Sequence, residues 1–117
     1  MLRASAAANN LPVNLAAITN SSLDSGIEDG DVLLAFADAV AGPDHAALET
    51  ARVRLLERMG PGALVEAAAV ASVFSMNDRA ANAIGIPLDG MMLTDSGAFR
   101  KELGIDDFPS ARNTPGR

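Results

Sequence analysis

The sequence predicts an all-α fold, and three observations carry that expectation. Apolar residues recur at intervals of three and four through segments 31–41, 45–59 and 63–84, the spacing of one helix face. No stretch alternates apolar and polar residues as a half-buried strand does. The periodic segments are separated by helix breakers: Gly42-Pro43, Gly60-Pro61-Gly62, and Gly85 followed by Pro87.

A chain of 117 residues fits one helical domain, 1–117, near the commonest domain size. Hydrophobic residues make up 49% of it, but 23 are Ala and only Phe36, Phe74, Phe99 and Phe108 are aromatic. Such a core packs helices closely and buries little area per side chain, at about 25 cal/mol per Å². A small monomer built this way is marginal, so self-association is expected.

Taken in order, residues 2–9 are Ala-rich and read as the end of a helix. Asn10 is placed to cap a short helix running to Thr19, with Pro12 in its first turn, where the missing N–H costs nothing. Residues 20–30 are polar and carry glycine, and read as a loop. In the 31–41 helix Leu33, Phe36, Ala37 and Val40 share one face, with Asp31 and Asp38 away from it. In the 45–59 helix Leu48, Ala51, Leu55 and Met59 form a stripe. Glu49, Arg52, Arg54, Glu57 and Arg58 fall elsewhere, a solvated face with pairs of about 0.2–0.5 kcal/mol each.

The 63–84 helix is the longest and changes character midway. From Ala63 to Phe74 only Glu66 and Ser72 are polar, so most of the circumference is suited to burial in the domain or against another subunit. From Ser75 onward Met76, Ala80, Ala83 and Ile84 oppose Asp78, Arg79 and Asn82. Gly85 suits a helix C-cap and Pro87 blocks continuation. A short helix over 96–103 with Asp95 as cap follows, then an extended tail over 104–117 containing Pro109, Pro115 and Gly116.

The formal net charge is −6 and Lys101 is the only lysine. Contacts to a phosphate backbone need clustered Lys and Arg, and here the basic residues are scattered, so neither nucleic acid nor an anionic membrane is an expected partner. The absence of cysteine removes disulfides, thiolate catalysis and zinc–sulfur sites together and suits a reducing cytoplasm. Asn9, Asn10 and Asn14 interrupt any signal-peptide core, and no run approaches the roughly 20 apolar residues of a membrane span. A soluble, cytoplasmic protein is expected. Without a secretion signal the Asn20-Ser21-Ser22 glycosylation pattern is read as coincidence.

Motifs for chemistry are sparse. No Ser lies in a Gly-x-Ser-x-Gly context, no Gly-rich loop has phosphate-binding spacing, and one histidine cannot build a His-rich metal site. Asp24, Glu28, Asp29 and Asp31 cluster, but Gly26 falls where a calcium ligand belongs, so a solvated loop is the simpler reading. No metal or cofactor is expected. Three residues stand as candidates. His45 is the one side chain that ordinarily titrates near neutrality, against a plain reading as an exposed or capping residue at a helix start. Glu66 lies in the apolar half of its helix, where burial would favour its protonated form and make it a proton donor, although acidic residues are also common in a first turn. Arg79 is available as a cation, or as the partner of Asp78 in a surface ion pair. Met76, Met91 and Met92 are read as core gap-fillers.

The apolar run into Phe74-Ser75-Met76-Asn77-Asp78-Arg79, followed by Ala83-Ile84-Gly85-Ile86-Pro87-Leu88-Asp89, resembles the C-terminal helix of the alkylhydroperoxidase D-like, carboxymuconolactone decarboxylase-like family. The segment DVLLAFADAV at 31–40 is similar to the helix that follows the redox helix in that family, and 103–114 resembles a tail found in some members. The resemblance covers roughly 31–114 and lies in the order and spacing of three segments. It implies an all-α fold that assembles into dimers, trimers or hexamers. Many members reduce peroxides or exchange disulfides through Cys-x-x-Cys-x-x-x-His with an upstream Glu: a low-pKa thiolate attacks, a second thiol resolves the oxidised sulfur, and the His relays protons. None of these residues carries over. Met1 falls in the place of the second cysteine and Ser5 in that of the histidine, so the chain reads as the family's C-terminal half, truncated before the redox motif.

Three functional expectations follow. The first is a non-catalytic helical oligomerisation or scaffold domain, self-associating through 63–74. The second is part of a truncated or split peroxidase or disulfide reductase, its cysteines upstream or on a cysteine-bearing partner chain. The third is a cysteine-independent decarboxylase-type enzyme acting on a small lactone or carboxylate, with Glu66, His45 and Arg79 as the available groups.

Overall fold

The computed structural model describes residues 2–115, with side chains from Ser5 onward; Met1, Gly116 and Arg117, on which parts of the expectations above fall, lie outside the described residues. It is 72% helical, and no strand occurs among the described residues, so the all-α class holds. The helices are α1 (Leu2–Ala8), α2 (Gly30–Ala41), α3 (His45–Ile84), α4 (Gly90–Asp95) and α5 (Gly97–Glu102). Shorter 3₁₀ turns occupy Leu15–Ile18, Ile105–Asp107 and Pro109–Asn113. The chain divides into two compact units, 1–75 and 76–117.

In the first unit the ends of α1 depart from expectation. Asn10 does not start a helix; it ends one. Its φ is +54°, its N–H donates to the Ala7 carbonyl, and the Leu11 N–H donates to the Ala6 carbonyl at 2.9 Å. This is the paired closure of a helix C-terminus, which needs a left-handed residue, and Asn tolerates that conformation. Leu11, held out of the helical region by the following Pro, continues non-helically. The predicted 11–19 helix shrinks to the Leu15–Ile18 turn, capped by the Asn14 side chain, which accepts from the Ala16 N–H at 3.1 Å. The Asn14 amide Nδ2 also donates to the Asp24 carbonyl at 3.1 Å, and its backbone N–H to that of Ser25 at 2.8 Å. Residues 24–26 thereby lie against Pro12 so closely that only glycine fits at Gly26, where φ is +74° and a Cβ would stand 1.7 Å from the Pro12 oxygen.

The core is small: Val32 and Phe36 from α2 against Ala51 and Leu55 from α3. Leu55 is the only large side chain fully buried among the described residues. The expected stripe Leu48, Ala51, Leu55 and Met59 does face inward. On α2 the inward face is rotated: Val32 is buried and Ala37 is exposed. Arg54 pairs with Asp31, and Arg58 Nε lies 2.6 Å from Asp29 Oδ1, so charges expected only to face solvent instead join α3 to the start of α2. Glu49 and Arg52 pair within the helix, as charges three apart do.

The helices expected at 45–59 and 63–84 are both present as the two halves of α3, parted at Gly60, whose φ of 87° and ψ of 172° are non-helical. Pro61 opens the second half, where its missing N–H is harmless. The first half is capped by Asp44, which accepts from the Ala46 and Ala47 N–H groups at 2.9 and 3.1 Å.

In the second unit Gly85 closes α3 as expected, with φ of +67° and the Ile86 N–H donating to the Ala81 carbonyl at 3.0 Å. The sequence reading missed α4, which Asp89 caps through the Met92 N–H at 2.8 Å. The predicted 96–103 helix is α5, entered at Ser96 rather than capped by Asp95. The tail is not extended: its two 3₁₀ turns fold back until the Leu88 N–H donates to Thr114 Oγ1 at 2.9 Å.

Candidate functional site

Of the two kinds of cover expected for 63–74, from the domain or from another subunit, the single chain supplies little of the first. Leu64, Ala67 and Ala68 pack towards the core, and the residues between and beyond them face away from it. Val65 is 69% exposed, Val70 58%, Val73 52% and Phe74 63%, so the burial expected for 63–74 does not occur within the chain. By length and composition α3 is also the one described helix able to cross a membrane, contrary to the expectation that no segment qualifies, because the helix runs unbroken from Pro61 beyond the apolar run.

Between α2 and this half of α3 lies an open groove of about 610 Å³, walled by Leu33, Leu34, Met59, Val70 and Phe74. Glu66 is the only polar residue among those lining it. Leu34 was not assigned to the α2 core face; the signal was the unbroken apolar run Val32-Leu33-Leu34, which places apolar groups on more than one side of the helix.

Of the three candidate residues, His45 and Glu66 belong to the first unit and do not line a common groove, and Arg79 belongs to the second. Glu66 is exposed at the edge of the groove, so the desolvation that a proton-donor role needs is not present in the single chain. His45 is exposed as the first residue of α3, beside the capping Asp44, and is not among the residues lining the groove. Arg79 is an exposed residue of the second unit. The acidic loop residues likewise diverge: Asp24 accepts from the Gly26 N–H at 2.8 Å, while Asp29 and Asp31 face different arginines. Among the described residues no three His, Asp or Glu side chains converge as a metal site would require.

The ion pair between Asp29 and Arg58 perturbs the arginine. The hydrogen bond to Asp29, and then the charge of Asp29, raise the Arg58 guanidinium above its ordinary value. In the second unit Arg100 is buried, with Nε donating to Asp106 at 3.0 Å and Nη1 to the Leu93 carbonyl at 3.0 Å and to Ser96 Oγ. It borders a crevice of about 210 Å³, but its Nε and Nη1 are engaged in joining α4, α5 and the Ile105–Asp107 turn. This arrangement is structural.

No protein-family model, no curated protein and no solved structure matches this chain.

Proposed function

We propose that this chain is a non-catalytic helical assembly module whose exposed α3 surface is covered by a second copy of itself. One observation carries the reading. The chain exposes 8421 Å² of accessible surface. A compact monomer of 12.0 kDa exposes roughly 6,000 Å², and two independent globules the size of its two units roughly 7,000 Å² together. The excess is on the order of the 800 Å² per partner that a stable interface buries. In the first unit the exposed surface includes the α3 face bearing Val65, Val70, Val73 and Phe74, four large apolar residues within ten positions. An exposed apolar patch of this size on a soluble protein marks an interaction surface.

The enzymatic readings have less support. A decarboxylase needs Glu66, His45 and Arg79 around one pocket, and Glu66 lines a groove that His45 does not. A split peroxidase needs thiols from a cysteine-bearing partner chain, and this chain's contribution would again be the α3 face. Descent from the alkylhydroperoxidase D-like family, with its oligomeric habit, rests on the order of the three sequence segments alone. Cytoplasmic location is part of the same proposal, consistent with the absence of cysteine.

A membrane-spanning α3 is the second reading, favoured by its length and composition. Against it, Glu66 falls in the middle of the apolar run, and a charge in a bilayer core is costly.

Sedimentation velocity of the purified chain at micromolar concentration tests the proposal. The expected result is a dimer or larger species, weakened roughly tenfold or more by Val65→Glu or Val73→Glu, since each removes an apolar anchor. Both positions are exposed, so the monomer tolerates the change. A wild-type monomer, or flotation with lipid vesicles, would overturn it.

A further inference from the structure

The proposed self-association leaves open how two copies meet, and the α3 surface restricts the choice. Val65, Ala69 and Val73 succeed one another at intervals of four on the exposed side of α3, away from Leu64, Ala67 and Ala68 on the core. Residues so spaced form one continuous ridge. Beside that ridge stands Glu66, the only charged residue between Gly60 and Asp78.

Two copies can set these ridges together in parallel or antiparallel. A parallel, in-register pair places the two Glu66 carboxylates at the same height on adjoining helices, where water is being excluded and no cation lies on the ridge. Like charges so placed repel, and the repulsion strengthens as the local dielectric falls. An antiparallel pair centred on Ala69 separates the carboxylates by about 9 Å along the axis, at 1.5 Å per residue. Each then lies near Ser72 and Val73 of the other copy. The small side chain at the centre lets the helices approach, and Val65 of one copy packs against Val73 of the other. Such a contact is isologous, so it closes as a dimer and leaves no matching surface to extend a filament.

We infer that the occupant of the exposed α3 face is a second copy of this chain, packed antiparallel about Ala69, with Glu66 excluding the parallel arrangement. This rests on the self-association proposed above. The surface exposed beyond that of compact globules is more than the roughly 800 Å² that one such partner removes.

The chain contains no cysteine, so single-cysteine variants report proximity without interference. Val65→Cys, Ala69→Cys and Val73→Cys each alter an exposed position and leave the core intact. Each variant is oxidised alone, and Val65→Cys is also oxidised mixed with a size-tagged Val73→Cys, with oligomeric mass followed by sedimentation. A disulfide forms only where Cα atoms come within about 4.4–6.8 Å, whereas Val65 and Val73 lie about 12 Å apart along one helix. The expected result is crosslinking of Ala69→Cys with itself and of Val65→Cys with Val73→Cys. Val65→Cys alone and Val73→Cys alone remain uncrosslinked. Self-crosslinking of both Val65→Cys and Val73→Cys would overturn the antiparallel arrangement while leaving self-association standing. A dimeric mass with no crosslink at any position would overturn the ridge as the contact. A monomeric mass for every sample would overturn both this inference and the reading beneath it.

Discussion

Arg58 Nε and Asp29 Oδ1 lie 2.6 Å apart, joining the first half of α3 to the residue that precedes α2. Asp29 holds φ of +54°, an uncommon conformation for a side-chain-bearing residue, and the contact aims its carboxylate at the guanidinium. Because the folded state raises the Arg58 pKa, the pair's contribution is fully present below the unfolded-state value and is lost only as pH rises through the folded one, at strongly alkaline pH. Arg58 is solvent-exposed, so Arg58→Met is expected to lower the urea midpoint only slightly and by the same amount at pH 7 and pH 9. A midpoint difference between these two pH values would show that another group governs the clamp.

Leu55→Ala is expected to cost far more. Leu55 has no exposed surface and is the centre of a core of four buried side chains. Removing a buried Leu typically costs about 2–5 kcal/mol, a large part of the roughly 5–15 kcal/mol that stabilises a domain. Equilibrium urea unfolding followed by circular dichroism measures the difference. A loss below about 1 kcal/mol would mean that α2 and α3 do not share this core.

Two glycines one residue apart from Pro61 should respond with opposite sign. At Gly60 a side chain would meet no neighbour, but φ of 87° with ψ of 172° is a region essentially restricted to glycine, so Gly60→Ala should destabilise by about 1–3 kcal/mol. Gly62 is helical and equally free of neighbours, so Gly62→Ala should stabilise by about 0.4–1 kcal/mol. Thermal unfolding of the two variants provides the test, and equal shifts would disprove the break at Gly60.

Arg100→Met is expected to unravel the second unit selectively. The change removes the Arg100 donor from the partly buried Leu93 carbonyl and from Asp106, at a cost of about 1–3 kcal/mol per group left unsatisfied, while the Ser96 hydroxyl keeps its bond to the Met92 carbonyl. Hydrogen exchange should quicken across α4 and α5 while amides of α2 keep their protection. Uniform loss of protection throughout the chain would contradict the division into two units.

The long helices were legible because they obey local rules. The 3.6-residue periodicity of 31–41 and 45–59, the breaker at Gly60-Pro61, and the cap at Gly85 are each written in a few neighbouring residues. Asn10 was misread because Asn serves both ends of a helix, and only the Leu11 and Asn10 N–H bonds to preceding carbonyls show which end it closes. The α4 helix was missed because six residues with two Met and a Gly carry too little period to register, although the Asp89 cap was a usable sign.

The candidate site was legible only in part. Composition marked 63–74 as a segment that seeks cover, and that much follows from the residues alone, since each Val or Phe carries its transfer free energy wherever it stands. Whether the chain supplies the cover depends on how many helices reach that face, which no local pattern encodes. The tertiary structure decides it: α2 covers the core side through Val32 and Phe36, and the face bearing Val65, Val70, Val73 and Phe74 is left exposed. It also decides that Glu66 and His45 do not share the groove, because residues distant in sequence meet only where packing brings their helices together. By itself the sequence determined the all-α class, the helix breaks and the apolar character of α3. Which residues became core and which became surface was settled by long-range packing, because burial is a property of pairs of elements and not of any one.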